Sequence, residues 1–221
     1  AQNNRILISK AGYLRGIYYS DNDGTSWTKA TSTDVDWADL TIAQNNYIYA
    51  SSFQTTTNGA GQKGLIKSID NGSSWFYVNN PEFSSVCSFT KSSNNNLYLI
   101  NGSGKVYKSM DNGDNWQHIA NGPIGVSFSG SKTIIFDNLQ NMYLADGNDL
   151  YVSDDEANSW SLDTTFSEGI NNLQNINNRI FISTSSGGFY KIKSSSNNNS
   201  YSWSPTNETT SSITVNLTEN T

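Results

Sequence analysis

The sequence predicts an all-β fold, a five-bladed β-propeller with four antiparallel strands per blade, the ring closed by the C-terminal strand completing the N-terminal blade. Three observations carry this. An eight-residue pattern, Ser-x-Asp-x-Gly-x-x-Trp, returns five times along the 221 residues. Its closing tryptophans, Trp27, Trp75, Trp116, Trp160 and Trp203, follow one another at steps of 48, 41, 44 and 43 residues, a period at which each repeat is one supersecondary unit of an array. Between the turns run short β-branched and aromatic stretches in period-2 alternation, which reads as strands, and no stretch reads as a helix.

The pattern is complete at Ser68, Asp70, Gly72, Trp75 and at Ser109, Asp111, Gly113, Trp116. The first copy, Ser20, Asn22, Gly24, Trp27, has an amide at the acidic position, and the fourth, Ser153, Asp155, Trp160, has Ala157 in place of glycine. In the fifth, Asn198 and Ser200 stand for the acid and the glycine while Trp203 is kept. Each residue type has a task. A short Asp or Asn accepts hydrogen bonds from backbone N–H groups of its own turn, glycine takes a positive φ without steric cost, and Trp leaves on the next strand to be buried with its N–H partnered.

This pattern resembles the Asp-box (BNR, sialidase-type) repeat of sialidases, sortilin-like receptors and other β-propellers, and the resemblance covers nearly the whole chain through its repeats. It implies that the box sits in the turn between the third and fourth strands of a blade, away from the usual ligand-binding side. The box residues are therefore expected to be structural.

Taken in order, the strands fall at 5–9, 16–20 and 26–29, then 37–43, 47–51, 64–68 and 75–78, then 85–90, 97–100, 105–109 and 116–119. They continue at 132–136, 142–145, 150–153 and 160–162, then 170–176, 179–183, 188–192 and 201–204, with a last strand at 212–217. One domain, 1–221, results. Its blades are 5–29 plus 212–217, 37–78, 85–119, 132–162 and 170–204, because the first unit lacks a strand and the C-terminus supplies one. Closure removes free sheet edges. The turns of the repeat share one pole with the first-to-second strand hairpins, and the other pole carries the second-to-third strand loops and the inter-blade links.

Composition narrows the function. The charged fraction is 14%, the net charge −6 and the pI about 4.6, so nucleic acid is a poor partner for a surface without a basic run. No apolar run approaches 18 residues, which argues against membrane insertion. A chain that starts at Ala1 fits a mature secreted or cell-surface protein, or an expressed fragment. Cys87 alternates like a core strand residue and, being the single cysteine, forms no internal disulfide.

Catalytic inventories are incomplete. His118 is the single histidine, so a triad or a zinc site has no partner for it, and 21–24 resembles a calcium loop only until Ser32 stands where Glu is required. No cofactor is expected. A sialidase-like or other glycoside hydrolase needs paired carboxylates, or a Tyr nucleophile with an acid, and sialidases also clamp the sugar carboxylate with three arginines. The chain has three, Arg5, Arg15 and Arg179, but Arg5 and Arg179 occupy equivalent positions in different blades.

The links remain. Acids recur there, Asp34, Asp36, Glu82, Asp163, Glu168 and Glu208, beside large apolar residues, Trp37, Phe83, Ile124 and Phe166. The acids read as a cation- or sugar-holding mouth or as solvated charge, and the apolar residues as seam packing or as sugar-stacking platforms. The ligand-binding candidates are Tyr13, Arg15, Asp36, Trp37, Glu82, Phe83, Phe166 and Glu168. The expected function is a non-enzymatic, secreted or surface-exposed binding propeller with a glycan as favoured ligand. The alternatives are a protein-interaction scaffold using the 52–63 loop and a glycoside hydrolase.

Overall fold

Each repeat turn folds on its own side chains. In the second copy, Ser68 Oγ donates to Asp70 Oδ1 at 2.8 Å and accepts the Gly72 N–H at 2.8 Å, while Asp70 Oδ1 accepts the Ser74 N–H at 2.9 Å and the Trp75 indole N–H donates to the Gly72 carbonyl at 3.0 Å. The third copy repeats these bonds through Ser109, Asp111, Gly113, Asn115 and Trp116. Ser20 with the amide of Asn22, and Ser153 with Asp155, build the same turn in the first and fourth. Two successive left-handed residues make the reversal: Asn71 and Gly72 at φ +60° and +88°, Asn112 and Gly113 at +60° and +92°, Glu156 and Ala157 at +57° and +70°.

These turns join strands in a computed structural model that describes residues 4–10, 14–30, 40–52, 64–78, 80–83, 85–124, 132–177, 179–193, 200–203 and 213–216, the backbone alone at 52, 81, 87, 193, 200–203 and 213–216. The fold class is all-β, five blades of antiparallel strands arranged as a β-propeller. Asn198 lies outside the described residues, as do the side chains of Cys87 and Trp203. Among the described residues no helix is long and apolar enough to cross a membrane.

The chain divides into two compact units, Ala1–Lys132 and Thr133–Thr221. In the first, β1 (Ile6–Lys10), β2 (Gly16–Ser20) and β3 (Thr28–Lys29) make a three-stranded sheet. A four-stranded sheet follows from β4 (Leu40–Ile42), β5 (Ile48–Ser52), β6 (Gly64–Ser68) and β7 (Phe76–Tyr77). The next comprises β8 (Val86–Lys91), β9 (Leu97–Asn101), β10 (Lys105–Ser109) and β11 (Gln117–Asn121).

Alternation sorts each strand's side chains onto the sheet's two faces. Ile17 and Ala30 of the first sheet pack with Ile48, Ala50, Ile66 and Trp75 of the second. On its other face the second sheet sends Tyr49 and Leu65 into a cluster with Phe83, Phe89, Leu97 and Tyr107 of the third. Trp75 is thereby 4% exposed, whereas Trp27 is left 39% exposed.

In the second unit, β12 (Thr133–Phe136), β13 (Met142–Asp146), β14 (Asp149–Ser153) and β15 (Ser161–Thr165) form the fourth sheet. The fifth consists of β16 (Ile170–Ile176), β17 (Arg179–Thr184), β18 (Phe189–Lys193), β19 (Ser200–Trp203) and β20 (Ile213–Asn216), in that order. Tyr143, Leu150 and Phe166 pack with Leu173, Ile180, Ile182 and Ile192 between the two.

Here the structure corrects the sequence expectation. The C-terminal strand does not complete the first sheet; β20 pairs antiparallel with β19, Trp203 opposite Ile213 and Ser200 opposite Asn216. The physical reason is proximity along the chain. Only residues 204–212 separate the two strands, and closing a short loop costs less entropy than joining the two ends of the chain. Among the described residues the four-strand count therefore holds for sheets two, three and four, while the first has three strands and the fifth has five.

Candidate functional site

The link ahead of β8 begins as a one-turn 3-10 segment, Pro81–Phe83. Asn80 starts it, its side-chain oxygen accepting the Glu82 N–H at 3.0 Å and its carbonyl the Phe83 N–H at 3.0 Å, an Asx-type turn with Pro supplying a preset φ. The turn sends neighbouring side chains in opposite directions. Phe83 goes inward, edge-on to Tyr107 at 5.1 Å and to Trp116 at 5.5 Å. Glu82 goes outward and accepts Lys105 Nζ on both carboxylate oxygens, at 3.2 and 3.1 Å.

The same link grips the β9–β10 hairpin. Asn101 Nδ2 donates to the Glu82 carbonyl at 3.0 Å, and Asn101 Oδ1 accepts the N–H groups of Ser103 and Lys105, each at 3.0 Å. The Tyr107 hydroxyl donates to the Glu82 carboxylate. Bonds from Lys105 and then Tyr107 hold Glu82 below the usual carboxylate range, while burial, reinforced by that same bond, pushes Tyr107 up to about 12. His118 lies 5.4 Å ring to ring from Tyr107 and meets Asn121 Oδ1 at 3.4 Å.

The second unit carries the same arrangement on the link ahead of β16. Phe166 stands edge-on to Tyr190 at 4.8 Å. Glu168 Oε2 accepts Thr184 Oγ1 at 2.9 Å and the Ser186 N–H at 3.2 Å, pinning the β17–β18 hairpin. Those bonds, Thr184 foremost, depress the Glu168 pKa, and burial followed by the Glu168 charge raises that of Tyr190. Backbone bonds finish the junction: Phe166 N–H to the Asn148 carbonyl at 2.8 Å, Ile170 N–H to Gly147 at 2.7 Å and Ser185 N–H to Gly169 at 2.9 Å.

Of the eight sequence candidates, Tyr13, Asp36 and Trp37 lie outside the described residues, as does most of the 52–63 loop. Arg15 is half-buried just ahead of β2. Phe83 and Phe166 are 2% and 8% exposed, so neither presents a ring for sugar stacking; both are seam packing, Phe83 in the cluster shared by the second and third sheets and Phe166 in the cluster shared by the fourth and fifth. Sequence reading missed Tyr107, Tyr190 and Lys105. A signal was present: Tyr18, Tyr107 and Tyr151 each stand two residues before the serine of the repeat turn, and Tyr190 takes that register in the fifth sheet.

Arg5, a candidate clamp residue, is engaged otherwise. It grips Asp21 with two bonds at 2.6 and 2.7 Å, reaches the Asn71 carbonyl at 3.1 Å and Ser73 Oγ at 2.6 Å, and lies 4.0 Å over the Tyr19 ring. Among the described residues no group of three or more His, Cys, Asp or Glu is placed to hold a metal ion.

No protein-family model and no curated protein matches the chain. Solved structures of β-propeller proteins do match. YCF48 from Cyanidioschyzon merolae superposes with a TM-score of 0.60 at 15% identity, over 89% of this chain and 66% of that one. YCF48 bound to D1 peptide gives 0.56 at 16% identity, over 81% and 57%. XC5397, a gluconolactonase from Xanthomonas campestris, gives 0.63 at 15% identity, over 85% and 67%. The likeness is one of fold alone. The chain spans less than two thirds of the length of either YCF48 structure.

Proposed function

We propose that this protein is a non-catalytic binding propeller of the Asp-box type, acting outside the cytoplasm, whose ligand is a protein or peptide segment. One observation carries the reading: in each unit a link carboxylate, Glu82 or Glu168, is consumed in fixing a neighbouring hairpin while its aromatic neighbour is buried. Carboxylates tied down in this way are struts, and the hairpins they hold, 101–105 and 184–188, become preset loops on a rigid scaffold, the usual place for recognition. The serine-anchored turns, closed on an acid three times and on Asn22 once, support the Asp-box assignment, and a neutral Asn-, Ser- and Thr-borne polarity supports the location. A propeller of similar fold solved with a peptide favours a protein ligand.

A second reading, a glycan ligand, rests on a different aromatic. Phe189 is exposed at the head of β18 and stacks on Phe181 at 5.4 Å and 27°, a flat apolar surface of the kind sugar C–H faces cover. Parallel peptide and glycan arrays probed with the wild type, Glu168→Gln, Phe189→Ser and Trp37→Ala decide between them. A peptide ligand weakened about tenfold by Glu168→Gln, roughly 1.4 kcal/mol, supports the first reading. Glycan binding lost in Phe189→Ser or Trp37→Ala supports the second. Hydrolysis of sialosides or glucosides that vanishes in Glu82→Gln or Glu168→Gln would overturn both.

A further inference from the structure

Five tripeptides of the form Asn-x-Ser/Thr occur in the chain, at Asn71, Asn101, Asn198, Asn207 and Asn216, each an acceptor for an N-linked glycan in form. Of these, Asn71 and Asn101 have described side chains. Asn71, in the second repeat turn, is half-buried. Asn101 is 2% exposed, at the end of a strand, β9, whose five residues are all buried, while Gly102 and Ser103 beside it are exposed at the hairpin tip. The tripeptide thus lies on a surface loop with its acceptor turned inward.

Both ends of the Asn101 amide are closed by main chain. On the link side Nδ2 donates to the Glu82 carbonyl at 3.0 Å, and on the hairpin side Oδ1 accepts the Ser103 and Lys105 N–H groups, each at 3.0 Å. The Gly102 N–H adds a second tie ahead of β8, to the Ser85 carbonyl at 3.0 Å. The link cannot swing aside without withdrawing Phe83 from its edge-on contacts with Tyr107 and Trp116. Glycan transfer joins Nδ2 to the anomeric carbon of a lipid-diphosphate-linked oligosaccharide, Nδ2 giving up a proton and the lipid diphosphate departing. The sugar would fill the space that link and hairpin now occupy. Making that room breaks the buried amide's bonds and exposes the Phe83 ring, and the sugar replaces neither.

We infer that Asn101 is a closed glycosylation sequon: the native protein holds a bare amide there, because a glycan on Nδ2 and the docked 101–105 hairpin exclude each other. The exclusion holds whichever ligand the propeller binds. Acting outside the cytoplasm, as proposed above, the protein must arrive there by a route that leaves residue 101 unmodified.

The test translates the full chain with microsomes that supply the transferase and its lipid-linked donor. Product is separated into protease-resistant and protease-sensitive fractions, and glycan occupancy at Asn101 is mapped in each by mass spectrometry. Occupancy should be at least tenfold lower in the resistant fraction. Where wild-type chains are occupied, Ser103→Ala removes the acceptor signal at an exposed side chain and keeps every bond of Asn101, so that share of the product should move into the resistant fraction. Where wild-type chains stay bare, folding has closed the site first, and Phe83→Asp, which frees the link, should raise occupancy at least fivefold. Equal occupancy in the two fractions overturns the inference. So does an occupied share that Ser103→Ala leaves protease-sensitive, or a bare site that Phe83→Asp leaves bare.

Discussion

Two seams of the first unit solve the same problem with different chemistry. Where the second sheet meets the first, its turn glycine Gly72 rests on Leu7, and the Asn71 carbonyl is held by Arg5, itself anchored to Asp21. Where the third sheet meets the second, Gly113 rests on Tyr49, the counterpart of Leu7, and the Tyr49 hydroxyl donates to the Asn112 carbonyl at 2.6 Å. One seam thus divides the work between an apolar residue and a charged one, and the other gives both tasks to a single phenol. The turn itself is constant. What varies is the residue beneath it, so the repeat dictates a socket and leaves each neighbouring blade to fill it.

The strongest way to break the contrast is to add a methyl group under each turn. A Cβ at Gly113 would lie 2.3 Å from Tyr49 Oη and 2.6 Å from its Cζ, on a ring held in the core; at Gly72 it would meet a Leu7 methyl at 2.7 Å, the far end of a flexible side chain. Both positions also have positive φ. Gly113→Ala should cost on the order of 3 kcal/mol, from overpacking together with left-handed strain, and Gly72→Ala about 2 kcal/mol. Gly147→Ala is the control, since it has φ +59° and nothing within 4 Å, so it should show the backbone strain alone, about 1 kcal/mol. Denaturant midpoints for the three variants decide. Equal losses at 113 and 147 would mean that Tyr49 does not wedge the turn. Tyr49→Phe should recover part of the Gly113→Ala loss, as contacting residues couple non-additively.

Acid separates the seams more gently. The bidentate bond from Arg5 depresses the Asp21 pKa, so the stability Asp21 contributes is complete above its ordinary value and is lost as pH falls through the lower folded one. Burial foremost, with the charges of Asp114 and Asp111 adding to it, keeps the Tyr49 hydroxyl protonated far above neutrality, so its bond to Asn112 does not change over that range. Amide exchange between pH 6 and pH 3 should therefore loosen Ile17 and Ala30, at the Arg5 seam, before Phe89 and Leu99. Uniform loosening, or the same order in Asp21→Asn, would contradict a charge-held first seam.

Much of this fold was legible because the repeat turn is a local device. Ser, Asp, Gly and Trp at fixed offsets satisfy one another within eight residues, so the bonds of the second and third copies follow from sequence, and a glycine-poor fourth copy folds the same way. Strands 16–20, 64–68, 105–109 and 170–176 were likewise placed to the residue, since alternation and flanking turns bound them on both sides. The C-terminal pairing was not legible. Alternation in Ile213, Val215 and Leu217 marks a strand but says nothing of which strand it pairs with, and that strand is β19. The site was half legible for a related reason. Glu82 and Glu168 stood out as acids beside aromatics, but which neighbour would bind them depended on hairpins 16 to 23 residues away in sequence.

The fourth turn offers the smallest and most diagnostic effect, because nature has already placed there the methyl group that the second and third exclude. Ala157 holds φ +70° with its side chain buried, so its Cβ has found room that Gly113 lacks. Replacing it with glycine relieves left-handed strain of about 1–2 kcal/mol. Against that gain stand a lost buried methyl, about 0.8 kcal/mol, and the greater freedom of glycine in the unfolded chain, about 0.4–1 kcal/mol. The terms nearly cancel. Ala157→Gly should fall within about 0.5 kcal/mol of wild type in a urea titration, while the reverse exchange at Gly113 costs several times more. A loss above about 2 kcal/mol at 157 would show that the methyl has become a packing element in its own right, and that the socket beneath the turn is shaped blade by blade to whatever residue occupies it.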